Sequence, residues 1–369
     1  MTRKTLRSLT LHYPVKNWSR LTSEVTVAIQ KLEEASDFLK SKGFEVWSKR
    51  LTITTPPIDV SVEKTAEKIK EAVDIGKILV SLGGFSVKDK RLGEIKNAIM
   101  SGFYVFFETR SWDDLNDAAS IIYSWSQPPY EHMTRIGIDL LGDPSFITPY
   151  FPLSRAPALL SRPVFSLSFM LPKALLELLE NKGFEGMIDY LFELSLSSIK
   201  YLKEYMISKN NDYGIAGVDL SLSPWMDDSV GELIEKVGSC TIGDLRCIPV
   251  IYRINKIINE VSSSLPRSTG FNEIMLAVAE DSLLKKRVYE GKLSLRSLLE
   301  TVPVCLAGLD MFALRTSKER LLDLLLTLKA YSESKRRTVG FRAIILPESS
   351  DEEKIMTKKF GDIPVFDLI

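Results

Sequence analysis

Short apolar runs alternate with longer stretches of helical period along almost the whole chain. Strand-like runs read at residues 5–14, 44–57, 77–87, 102–110, 135–143, 164–172, 213–222, 302–314 and 338–347. Several are almost continuously apolar, as strands covered on both faces are. Residues 22–42 predict a long helix closed by Gly43. Ser229-x-x-Glu232 and Thr316-x-x-Glu319 read as capping boxes that open two more helices. Residues 272–290 read as an amphipathic helix that ends before Gly291. This alternation predicts an α/β fold, either a large barrel or an open doubly wound sheet. The clusters at 126–130 and 261–270 read as loops, and no low-complexity linker interrupts the chain. Residues 1–369 are therefore expected to form one large α/β domain.

One short pattern, Gly-apolar-Asp-apolar, occurs three times inside these strands. It stands at Gly137–Leu140, Gly217–Leu220 and Gly308–Met311. Aspartate is disfavoured in strands, and an unpaired buried carboxylate is costly, so each placement needs a cause. In α/β folds, strand ends on one side converge on the ligand site. Asp139, Asp219 and Asp310 are then candidates for acid–base work or for holding a hard cation such as Mg²⁺. The competing reading is local. Each carboxylate accepts backbone N–H groups at the following turn, or pairs with a buried arginine.

Further candidates follow from residue type and position. Gly83-Gly84-Phe85-Ser86 would let a backbone approach an anionic or carbonyl ligand, or simply make a tight turn. Asp228 and Ser229 precede a helix and suit either a ligand or helix capping. Glu280 and Asp281 are neighbours within the expected 272–290 helix, so only one of them can face a site. Arg110 suits a planar acceptor on a substrate or a partner aspartate. Cys305, in an apolar strand, reads as a small hydrophobe.

Composition narrows the classes. Lys+Arg and Asp+Glu both total 48, so nothing steers the chain toward nucleic acid or an anionic membrane. Hydrophobic residues make up 45% and charged residues 26%, an ordinary globular balance. The N-terminal stretch lacks a signal-peptide core, and no apolar run approaches a membrane span of roughly 18 residues. Three cysteines, Cys240, Cys247 and Cys305, suggest a reducing cytoplasm over a disulfide scaffold. With only His12 and His132 beside them, the pattern argues against structural zinc. Glutamine is confined to Gln30 and Gln127, a weak thermophilic bias. Dinucleotide-binding, P-loop, zincin and nucleophile-elbow signatures are absent from the sequence.

Taken in order, "LGGFSV", "YGIAGVDLSLSPWMDDSVGELIEKVG", "AVAEDSLL" and "VPVCLAGLDMFAL" resemble the uncharacterised pyruvate formate-lyase-like family, domain-of-unknown-function family 711. The resemblance implies a barrel of about ten strands wrapped by helices, as in glycyl-radical enzymes. By position it marks Gly83, Gly84, Phe85, Ser86, Asp219, Ser221, Asp228, Ser229, Glu280, Asp281, Cys305, Gly308 and Asp310. Three family features are missing: a Cys-Ser-Ser run at "VFFETR", a Gly-rich loop at "FSLSFML" and a His near "SCTIGD". Arg337, Gly340 and Phe341 imitate the spacing of a glycyl-radical loop, but Val339 and Phe341 depart from its small residue and Tyr. Gly340 reads instead as the point where a strand enters close to its neighbour. The resulting expectation is a cytoplasmic enzyme acting on a small polar metabolite. Asp219, Asp310, Asp139 and Glu280 would be catalytic. Gly83, Gly84, Ser86, Arg110, Ser221, Asp228 and Ser229 would contact the ligand. The alternative is a non-catalytic small-ligand-binding or regulatory protein. Helical surfaces of this size often support homo-oligomers, although no heptad or apolar stripe marks an interface.

Overall fold

The computed structural model describes residues 4–304 and 308–368. Its strands are β1 (Thr5–Tyr13), β2 (Glu45–Val46), β3 (Lys49–Ile53), β4 (Ile78–Ser86), β5 (Tyr104–Glu108) and β6 (Ile136–Asp139). They continue with β7 (Val164–Phe169), β8 (Gly214–Asp219), β9 (Gly308–Arg315), β10 (Gly340–Leu346), β11 (Lys354–Thr357) and β12 (Gly361–Asp367). All twelve join one sheet, in the order β11-β12-β9-β10-β6-β5-β4-β3-β1-β7-β8, with β2 on β1. Strands β1, β3, β4, β5 and β6 run parallel to one another. On either side the direction reverses, at β7 against β1 and at β10 against β6. Helices make the parallel crossovers, such as Val62–Ala72 between β3 and β4 and Lys318–Lys335 between β9 and β10.

Hydrogen bonds do not close this sheet into a barrel, because β8 and β11 remain its two ends. The closed barrel of about ten strands expected from the sequence is corrected to a mixed α/β sheet of twelve. The edge of β8 is covered instead by an irregular segment. Val218 bridges to Ser268, Leu222 to Ile274 and Met226 to Asp281. Further along, a 3-10 turn at Val278–Glu280 packs against β9 and β12. Here the expected 272–290 helix fails. Only Ser282–Tyr289 is helical, because residues before it pair with the chain beyond β8. The box at Thr316 is displaced by one residue: Ser317 caps the helix through the Arg320 N–H. The helix expected at 22–42 spans Leu21–Ser41 and ends in Gly43 at φ +89°.

The two faces of the sheet differ in chemistry. Leu9, Leu11, Leu51, Ile53, Phe165 and Leu167 belong to the apolar core that the helices cover. Alternate residues on the other face are polar and buried: Ser8, Thr10, His12, Arg50, Thr52, Ser81, Ser166 and Ser168. Residues 149–155 have no regular structure and lie against that face. Their carbonyls need donors, and the sheet supplies them. Arg50 donates to the Pro149 carbonyl at 2.9 Å, and Ser81 donates to the Ser154 carbonyl at 3.1 Å. His12 Nδ1 lies 2.7 Å from the Arg155 carbonyl, which can only accept, so Nδ1 carries the proton. Nε2 then accepts from the Ser166 hydroxyl at 2.7 Å.

Cys240 and Cys247 form a disulfide with Cα atoms 5.9 Å apart. This corrects the expectation of free cysteines. The left-handed residue Ser239 (φ +45°) turns the chain beyond the preceding helix and brings the two within bonding reach. Cys305 lies outside the described residues. No helix among the described residues is long and apolar enough to cross a membrane.

Burial lowers the His12 pKa to about 4, despite the opposing bond to the Arg155 carbonyl. Unfolded chains take up this proton below about pH 6.5, while the folded protein resists it down to about 4. Stability supplied by neutral His12 is thus fully present above 6.5 and lost as pH falls toward 4. Compared with His12→Asn, wild type is expected to lose about 3 kcal/mol of unfolding free energy between pH 7 and pH 4. Denaturant titrations of both proteins across that range give the difference, and parallel pH profiles would contradict it.

Candidate functional site

Two arginines at irregular points of the sheet organise its interior. The register of β1 shifts between Leu6 and Ser8, and Arg7 occupies that bulge. In β10 the register shifts after Arg342, opposite Met311, which has φ +50°. Bulges re-aim side chains that the regular pleat would send elsewhere. Both guanidiniums reach Glu280, on the 3-10 turn that follows the irregular segment. Arg7 Nη2 meets Glu280 Oε2 at 2.6 Å, and Arg342 Nη2 meets Oε1 at 3.0 Å. Arg342 also grips Asp310, its register partner on β9, through Nε at 2.6 Å and Nη2 at 2.7 Å. Arg7 donates besides to the Pro224 carbonyl at 2.8 Å, and its guanidinium lies 5.5 Å from the Trp47 ring and 5.9 Å from Trp225.

This cluster borders a cavity of about 250 Å³. Arg7, Arg50, Arg342, Glu280 and Asp310 line it, with Lys359 at a more exposed position. Aromatic rings supply much of the wall, among them Trp47, Tyr104, Tyr150, Phe151 and Trp225. The two carboxylates differ in environment. Burial pushes Glu280 upward, but Arg342 and Arg7 outweigh it and hold this group below the usual range. Burial raises Asp310 above its usual range, against the pull of Arg342 and with help from the Glu280 charge. Asp310 is also the more accessible, with 29% of its side chain exposed against 7% for Glu280.

The three Gly-apolar-Asp aspartates do not share this cavity. Asp310 alone lines it. Asp139 is buried, pairs with Arg155 and accepts the Leu141 and Gly142 N–H groups. Asp219 is buried and accepts the N–H groups of Ser221, Phe271 and Asn272 and the Ser221 hydroxyl. The pattern has a common structural meaning. Each glycine admits a neighbouring segment, and the aspartate two residues on ties the same segment down. A Cβ on Gly137 would meet Pro152 at 2.7 Å, and Asp139 holds Arg155. A Cβ on Gly217 would meet Ser268 backbone at 2.6 Å, and Asp219 holds Phe271 and Asn272. A Cβ on Gly308 would overlap the Gly340 backbone, and Asp310 holds Arg342.

The remaining expected residues separate into two places. Gly84, Ser86 and Arg110 line a second cavity of about 320 Å³ with Glu108, to which Arg110 donates at 2.7 Å. Gly83 and Gly84 lie within β4, where a Cβ would strike Thr55 at 2.5 Å and Phe106 at 2.4 Å respectively. Side chains of the protein itself thus fill the space these glycines leave. Ser221 bonds Asp219. Asp228 accepts the Lys173 N–H at the start of helix Pro172–Ser208, and Ser229 caps Val230–Gly238. Asp281 accepts from the Ser229 hydroxyl and from Gly231, Leu283 and Leu284 N–H groups, so it secures two helix starts. Among the described residues, no three His, Cys, Asp or Glu side chains come together to hold a metal ion. The three aspartates considered for a hard cation such as Mg²⁺ do not converge: Asp139 is paired with Arg155, Asp219 is taken up by backbone N–H groups, and Arg342 holds Asp310.

Sequence reasoning missed Arg7, Arg50 and Arg342. The signal was a charged residue inside an apolar strand, the same oddity that drew attention to the aspartates. Glu280→Gln would leave two buried guanidiniums short of a counter-charge. It is expected to cost about 3 kcal/mol of unfolding free energy, with partial recovery in the Arg7→Met, Glu280→Gln double variant. Urea unfolding measures both, and a loss below about 1 kcal/mol would show that the arginines are satisfied without Glu280.

Among curated relatives, a "UPF0210 protein" of Desulfovibrio desulfuricans is 30% identical over 103 residues, covering 28% of this chain and 22% of its own. Another from Sulfurisphaera tokodaii is 27% identical over 143 residues, covering 37% and 32%. A third, from Caldicellulosiruptor saccharolyticus, is 30% identical over 114 residues, covering 31% and 25%. The matched stretches therefore span less than a third of these relatives. A sequence profile described as "Uncharacterised ACR (DUF711)" matches residues 161–356, just over half of the chain, including Glu280, Asp310 and Arg342. The chain belongs to this DUF711 family, whose function is uncharacterised.

Proposed function

We propose that the protein is an enzyme that transfers a proton on a small polar metabolite held in the central cavity. The observation that carries this reading is the pair Glu280–Asp310. Two carboxylates share Arg342 inside one cavity, yet their surroundings push them in opposite directions. Such a split lets one group stay ionised while the other, held above its usual range, takes up and releases a proton more readily. Asp310, the more accessible, takes a proton from a carbon next to a carbonyl or carboxylate. The electron pair moves onto that oxygen, toward the surrounding guanidiniums, and Asp310 returns the proton. Glu280 remains charged and positions Arg342.

The alternative, a non-catalytic binding or regulatory protein, rests on a specific feature. Both Asp310 oxygens already accept from Arg342, so this carboxylate also has a purely structural role. The reversal of strand direction on either side of the central parallel block β1, β3, β4, β5 and β6, with β7, β8, β9, β10 and β12 running the other way, supports the glycyl-radical-enzyme-like shape expected for the family.

Incubating the protein with a mixture of small carboxylic and keto acids in D₂O separates the two readings. Wild type is expected to place deuterium next to a carbonyl or carboxylate in at least one compound. Asp310→Asn is expected to slow this by about a hundredfold or more, in the range of general acid–base contributions. Mass spectrometry reads the label. Ligand depletion without label or chemical change would favour the non-catalytic alternative.

A further inference from the structure

The charges lining the central cavity do not balance. Three buried guanidiniums, Arg7, Arg50 and Arg342, face two carboxylates, Glu280 and Asp310, and the exposed Lys77 and Lys359 also line the cavity. Glu280 takes Arg7 and Arg342, and Asp310 takes Arg342. Arg50 is only 6% exposed and makes no ion pair among the described residues. Its Nε donates to the Ser48 hydroxyl at 3.1 Å and its Nη1 to the Pro149 carbonyl at 2.9 Å. Phe151 lies 5.4 Å from its guanidinium. None of these partners is charged. Arg7 Nε, in the same wall, is buried without a hydrogen-bond partner.

A buried cation without a counter-ion is strongly disfavoured, so its persistence needs a reason. The strain is visible in Arg50 itself. Burial, with the nearby Arg7 charge, lowers its pKa to about 10. Lysine at this place would lose its proton more readily, while arginine keeps its charge and offers a planar fork to an oxyanion. The unused Nη2 lies on a residue that lines the cavity. Beside it, the tilted rings of Tyr104 and Phe151 have centroids 5.1 Å apart, and those of Trp47 and Trp225 lie 4.8 Å apart.

We propose that Arg50 is the docking point for the carboxylate of a small monocarboxylic ligand whose apolar or aromatic body rests against these rings. A single negative charge matches the one buried guanidinium that is left without a carboxylate. This inference rests on the central cavity being the ligand site, and it specifies the chemical class that the site takes. It does not depend on Asp310 moving a proton.

Benzoate, benzamide and phenyl phosphate serve as probes, and quenching of tryptophan fluorescence reports on Trp47 and Trp225 beside the cavity. Benzoate is expected to bind wild type saturably. Benzamide, which has the same shape without the charge, is expected to bind at least tenfold more weakly. Arg50→Met is expected to weaken benzoate at least tenfold and, without ligand, to unfold at the same temperature as wild type or higher. Comparable binding of benzamide, unchanged benzoate binding in Arg50→Met, or no saturable quenching by any probe would overturn the proposal. A tenfold preference for phenyl phosphate would overturn the carboxylate assignment. If Arg50→Met fails to fold, the benzoate-to-benzamide ratio on wild type still decides the matter. Asp310→Asn should retain benzoate. Retained binding with lost deuterium exchange, or with none in wild type, therefore tests catalysis separately from docking.

Discussion

Glu280 is the point on which the interior of this protein turns. Its two oxygens hold arginines from β1 and β10, strands separated in the sheet by β3, β4, β5 and β6. For both to reach one carboxylate, the sheet must curve around the irregular segment that carries it. Hydrogen bonds alone leave the sheet open between β8 and β11, so side-chain charges provide this link across it. Buried ion pairs add little net stability against an apolar alternative, but they are demanding about position. Here they set the wall of a cavity.

The same logic explains the unusual polarity of the inner face. Chain segments near 149–155 and 268–277 lie inside the curve without helices or strands of their own. Their backbone groups cannot be left dry, so Ser, Thr, His, Arg and Asp side chains satisfy them. The repeated Gly-apolar-Asp pattern is the most economical form of this device. On one strand face, residues two apart point the same way, so the glycine makes room and the aspartate secures what fills it. At β6 and β8 the result is a tether. At β9 the tethered group is Arg342, which also faces the cavity, and the structural device acquires chemical potential.

Much of the fold was legible in the sequence because it depends on local pattern. The strand runs, the helix ending at Gly43 and the cap at Ser229 follow from apolar spacing and backbone chemistry. The close approach at Gly340 was also legible, and it is made against Gly308. What failed depends on distant pairing. Residues 272–281 have an apolar spacing that suits a helix, yet bridges at Ile274 and Asp281 to the chain beyond β8 leave them irregular apart from one 3-10 turn. Three aspartates looked alike, but only the register of β9 against β10 distinguishes Asp310 from the others. The disulfide was overlooked because a separation of seven residues says nothing about a left-handed turn between them. Arg7 and Arg50 lie outside the stretch that matches the family profile, and their significance comes from facing Glu280 and the cavity.

A polar interior held by paired charges, with one guanidinium left over, is therefore the feature that joins fold to function. Crystals of the protein grown with a saturating small carboxylate such as benzoate test it most directly. The expected result is a carboxylate in the central cavity, with one oxygen within hydrogen-bonding distance of Arg50 and the Glu280–Arg342–Asp310 contacts intact. A carboxylate bound only at surface lysines, with Arg50 turned onto Glu280 or Asp310, would contradict it.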